Sequence, residues 1–135
     1  MNAKTIGKIG VGSWTFPWAT GTVLSHQPET ILNPLGVVHR AKDLDVHVVH
    51  FLDNLPLDKW DDGAIGSARE FAAKNGIEVE IGTRGTDPEH LLSQANVIVE
   101  QWPPFQDTLS KTMELELSWA RQSIEYLATM GYLAR

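Results

Sequence analysis

Apolar positions along this chain keep two different spacings. Steps of two mark four short runs, and steps of three and four mark the stretches between them. "KIGVGSW", Lys8 to Trp14, is β-rich and carries glycines at alternate positions, Gly10 and Gly12. "VHVVHFL", Val46 to Leu52, is a β-branched run bounded by the turn-forming "DNLPLD". In "IEVEIGTRG" Ile77, Val79 and Ile81 alternate with Glu78 and Glu80. "NVIVEQWPP", Asn96 to Pro104, is a short apolar strand that ends on Glu100 and a Trp-Pro-Pro stop.

The stretches between these runs predict helices. "TILNPLGVVHRAKDLD" is roughly helical, with Pro34 and Gly36 imposing a late or kinked start. "DDGAIGSAREFAAKNG" places Ile65, Ala68, Phe71 and Ala72 on one face, and Asn75-Gly76 closes it. "TDPEHLLSQA" opens with Thr86 or Asp87 as N-cap and Pro88 in the first turn. In the final segment Met113, Leu117, Ala120, Ile124 and Leu127 form one stripe, with Glu114, Glu116, Arg121 and Gln122 mostly off it. Such a helix can cover a sheet or bind a partner.

Four strands alternating with four helices predict an α/β domain of parallel βαβ units spanning residues 1–135. Right-handed crossovers bring every strand's C-terminal end to one rim, where ligands of such folds sit. The residues at that rim are Ser13, Trp14, Asp53, Asn54, Glu80, Arg84, Glu100, Gln101 and Trp102. Alternation points Glu80 and Glu100 away from the helix-packing faces of their strands. A carboxylate in a lumen or crevice is costly unless it is paired, hydrogen-bonded or bound to metal. Both are therefore candidates for catalysis, and equally for a salt bridge or a backbone contact. "GTRGTDPE" sets Arg84 between two glycines before a capped helix, either as an anion site or as a βα turn that needs glycine. His50 is either a rim ligand or acid/base group, or a hydrogen-bonded strand residue.

Composition narrows the classes. The chain has 135 residues, 42% hydrophobic and 21% charged, as in an ordinary globular protein of one domain. A net charge of -6 argues against nucleic acid or an anionic membrane surface as partner. Without cysteine there is no thiol nucleophile, disulfide or zinc–thiolate site. No signal-peptide pattern and no run of about 20 apolar residues is present, so the expectation is a cytoplasmic protein. HExxH-like metal spacing, a phosphate loop and a GxSxG elbow are all missing.

Four ordered phrases, "IGVGSWTFPWA", "AKDLDVHVVHFLDNLPLD", "AREFAAKNGIEVEIGTRG" and "VIVEQWPP…ELELSWARQSIEYL", together resemble sugar phosphate isomerase/epimerases of the xylose-isomerase-like TIM-barrel superfamily. The resemblance implies a (β/α)8 architecture, a divalent metal (Mn2+ or Mg2+) at the rim, and proton transfer beside a sugar carbonyl. It implies that Glu100 is the metal ligand of the last strand. For such an activity the rim residues read above take the remaining roles: Glu80 joins Glu100 in catalysis as ligand or base, Arg84 contacts a phosphate, and Trp14, His50, Asp53, Asn54 and Trp102 are candidates to bind the sugar or sugar phosphate. The first three phrases look like the family's first three βα units and the fourth like its last. The middle four units, with a glutamate, an aspartate and a histidine of the usual ligand set, have no counterpart. Such a barrel needs at least about 200 residues. A (βα)4 half-barrel exposes two strand edges, so the expectation is a homodimer closing an eight-stranded, two-fold symmetric barrel. The alternatives are a non-catalytic half-barrel that dimerises and at most binds a small anionic ligand, and an open flavodoxin-like sheet in one chain.

Overall fold

The computed structural model describes residues 7–81 and 96–129 and the backbone of 133–134. The strands are β1 (Gly7–Gly12), β2 (Val48–Phe51), β3 (Glu78–Ile81), β4 (Val97–Val99) and a two-residue β5 (Leu133–Ala134). The helices are α1 (Pro34–Asp43), α2 (Asp62–Lys74) and α3 (Leu109–Ala128). The helix expected in "TDPEHLLSQA", together with Arg84 and His90, lies outside the described residues.

Each described helix begins where side-chain chemistry allows it. Asn33 accepts from the Gly36 N–H and Pro34 fills the first turn, which accounts for the late start of α1. Asp61 caps α2 through the Ala64 N–H, and Thr108 caps α3 through the Lys111 N–H. Beyond α2, Gly76 takes φ +64°, the left-handed conformation that turns the chain toward β3.

The sheet is all parallel in the order β3-β2-β1-β4, with β5 pairing β1 at Gly7 and Lys8. β4 therefore lies beside β1, not beside β3. Register pairs Val11 with both Val49 and Val99, and Val49 with Val79, so these side chains share one face. The described helices pack on that face: Val37, Val38 and Ala41 of α1, Ala68 and Ala72 of α2, and Ala120 and Ile124 of α3 join Ile9, Val11, Val49, Phe51 and Val99 in one core. Among the described residues the sheet is thus covered on one side, unlike the two-sided flavodoxin-like alternative.

The opposite face is concave. Lys8 Nζ meets Glu78 Oε2 at 3.1 Å across β2, and Asn96 Nδ2 donates to Glu80 Oε1 at 2.6 Å. Neighbouring strands lie about 4.8 Å apart, so a flat sheet would hold β3 and β4 about 14 Å apart. Contact between them requires strong curling toward this face. The curl closes over Gly10, where a Cβ would lie 2.6 Å from the Val48 carbonyl oxygen and 2.8 Å from Ile98 Cδ1. Val48 is fully buried there, apart from the core that the described helices join. The missing side chain at Gly10 leaves the space that Val48 and Ile98 occupy on this face.

Candidate functional site

β1 delivers its C-terminal end into a single 3-10 turn, Ser13–Thr15, which fixes the rim. Ser13 is buried; its hydroxyl accepts from the Leu52 N–H and its carbonyl accepts from Asn54 Nδ2, both at 3.0 Å. Asn54 Nδ2 also reaches Thr22 Oγ1 at 3.1 Å, while its Oδ1 is buried with no hydrogen bond. Next along the turn, Trp14 Nε1 donates to Asp53 Oδ1 at 3.0 Å. The Trp14 ring lies 5.0 Å from that of Trp102, tilted by 47°. The rim thus gathers Trp14, Asp53, Asn54 and Trp102 from three different strand ends. Trp102 remains 58% exposed, an indole presented to solvent beside a carboxylate.

The remaining candidates are spread. His50 pairs in register with Gly12 and Glu80 and is half-buried on the concave side. Glu80 points into the same concave face, but Asn96 from the start of β4 donates to it. Glu100 is exposed and lines an open groove of about 540 Å³ along β4 with Ile98, Gln122, Ser123 and Tyr126. Among the described residues no three His, Asp or Glu side chains come together in a way that would hold a metal ion. The donors among the described residues of one chain therefore do not fit a resident divalent cation.

Glu116 departs from the sequence expectation, which set it mostly off the apolar stripe of the last helix. It is fully buried. Position 116 is three after Met113 and four before Ala120, so it lies on the packed face, and Thr112 one turn earlier is buried too. Oε1 accepts from the Trp18 N–H at 2.8 Å and Oε2 from the Ala19 N–H at 3.3 Å. Arg40 Nη1 of α1 sits 4.0 Å from Oε2 without a hydrogen bond. Burial pushes the carboxyl up to about 7 against the opposing pull of the two N–H groups and Arg40. Burial likewise lowers the Arg40 guanidinium below its ordinary value, with Glu116 opposing.

Gln101 also turns inward. Its Nε2 donates to the carbonyls of Thr15 at 3.0 Å and Glu116 at 2.5 Å. Placed after an exposed glutamate at a strand end, it reads in sequence as a rim residue. Nothing local to "VIVEQW" signals that the chain turns it beneath the β1 loop.

The chain was compared with family models, curated proteins and solved structures, and none of them matches. Among the described residues no helix is long and apolar enough to cross a membrane.

Proposed function

We propose that this chain is a sugar- or sugar-phosphate-binding half-barrel of the isomerase/epimerase type, working as a pair of chains that together close an eight-stranded barrel. The observation that carries this reading is the convergence of Trp14, Asp53, Asn54 and Trp102 at the C-terminal rim of a parallel sheet. An exposed indole offers a flat apolar surface to the C–H face of a sugar, and Asp53 offers a carboxylate to its hydroxyls, while Asn54 holds the rim through Ser13 and Thr22. Pairing is supported by the sheet itself. Its outer strands β3 and β4 have matching polarity, and β3 presents exposed Val79 and Ile81 on its helix-packing face. A two-fold axis along the barrel would set β3 of one chain against β4 of the other.

Glu100, at the rim end of β4, is the residue assigned to proton transfer, since a carboxylate of suitable basicity can take a proton beside a carbonyl. A divalent ion, Mn2+ or Mg2+, belongs to this reading only in the paired barrel, where Glu100 is present twice. The second reading is a non-catalytic half-barrel. It is favoured by the Asn96 bond to Glu80, which gives that carboxylate a structural partner.

Two measurements test the proposal. Light scattering with and without Mn2+ should give twice 15.0 kDa. Incubation with a panel of aldose and ketose phosphates in deuterated water should show deuterium entering the carbon beside the carbonyl, and Glu100→Gln should abolish it. A stable monomer removes the paired barrel. A dimer that incorporates no deuterium with either metal leaves the non-catalytic reading.

A further inference from the structure

The loop that follows β1 is fastened to the β4–α3 unit. Thr15 Oγ1 donates to the Val99 carbonyl, Gln101 Nε2 to the Thr15 carbonyl, and Trp18 Nε1 to the Pro103 carbonyl at 2.9 Å. Glu116 completes the set from α3 by accepting the Trp18 and Ala19 N–H groups. In this set the acceptor that can change its charge is Glu116.

Its surroundings decide what that change does. From α1 it faces Arg40, close enough to pair but making no hydrogen bond to it. From the segment after β4 it faces Gln101, which is uncharged and binds the Glu116 carbonyl. From its own helix it faces Thr112, whose hydroxyl donates to the Thr108 carbonyl. His26 lies on Trp18, ring centroids 6.1 Å apart, and stacks on Phe105 at 4.0 Å. One guanidinium at 4.0 Å that makes no hydrogen bond to it does not offset full burial of the carboxylate, so the neutral acid is favoured up to about 7.

We infer that Glu116 is a proton-dependent clamp on the β1–α1 loop, holding Trp18 and Ala19, and through them the rim Trp14, when it is neutral and releasing them when it ionises. Ionisation leaves a buried charge that regains water only if the loop moves. The opened loop binds the proton less tightly than the closed one, so a rise in pH draws the equilibrium toward opening. Trp14 precedes Trp18 in the same loop, donating to Asp53 and packing on Trp102, so displacement of that loop changes the surroundings of its ring.

The clamp is tested without any ligand, by NMR on the full chain. The ratio of Trp18 amide exchange rates in wild type and Glu116→Gln cancels base catalysis. That ratio should rise about tenfold between about pH 6 and about pH 8. The Trp14 indole N–H resonance should move with the same midpoint in wild type and stay still in Glu116→Gln. Arg40→Gln should raise the midpoint, because it removes a charge that favours ionisation. A flat exchange ratio overturns the inference. So does a Trp14 resonance whose midpoint differs from that of the Glu116 carboxyl carbon in wild type, a comparison that needs no variant to fold.

Discussion

Asn96 joins Glu80 across the concave face, with Nδ2 and Oε1 at 2.6 Å, although the two residues belong to opposite edges of the sheet. Asn96 also accepts from the Lys8 N–H at 3.0 Å through Oδ1, so one side chain ties β4 to both β1 and β3. Asn96→Ala strands the Lys8 N–H and a half-buried carboxylate together. Urea unfolding should show a loss of about 1–3 kcal/mol. Asn96→Asp sets two carboxylates against each other. It should be as damaging at neutral pH and recover on acidification, as one of the pair takes a proton.

Gly10 and Gly66 make a contrasting pair. A methyl at Gly10 meets backbone and two side chains at under 3 Å, whereas one at Gly66, exposed in α2, meets nothing within 4 Å. Gly10→Ala should cost about 2–3 kcal/mol through overpacking against Val48. Gly66→Ala should gain about 0.5–1 kcal/mol through helix propensity. Thermal unfolding of both variants checks the sign of each.

Glu116 gives stability a pH dependence of defined sign. Its carboxyl is near 4.5 when unfolded and about 7 when folded, so the folded chain holds the extra proton between those values. The contribution is fully present below about pH 4.5 and declines as pH rises through about 7, by about 3 kcal/mol in all. Glu116→Gln carries no such titration. The difference in unfolding free energy between wild type and variant should therefore move in favour of the variant between about pH 5 and about pH 8, then level off.

Gln101 supports two carbonyls that no water reaches. Gln101→Leu keeps the volume and removes both donors, so Thr15 and Glu116 lose a buried partner each. The expected loss is about 2–4 kcal/mol. The near-UV circular dichroism of the Trp14–Trp102 pair should weaken with it, because Thr15 adjoins Trp14.

Much of this architecture is legible from local pattern. The alternation in "IEVEIG" puts Val79 on the helix face and Glu80 opposite, because side chains of a strand must alternate. Asn75-Gly76 ends α2 where it should, since glycine takes positive φ at no steric cost. The stripe from Met113 to Leu127 is the packed face of α3, with Ala120 and Ile124 at its centre. These are one-dimensional facts, set by periods of two and 3.6 residues.

Three-dimensional placement decided the rest. The sequence puts Asn96 and Glu80 on separate strands and cannot say that curling brings them into contact, since curl follows from how Val48 and Ile98 share the space above Gly10. It shows Glu116 as one more charged residue in a helix rich in them. Only the approach of α1 and the β1 loop removes its water, and burial changes a surface carboxylate into a group that titrates near neutrality. Local pattern determined which residues form elements and which way each side chain faces. Tertiary packing determined which polar groups lose solvent, and solvent loss is what gives Glu116, Gln101 and Asn96 their roles.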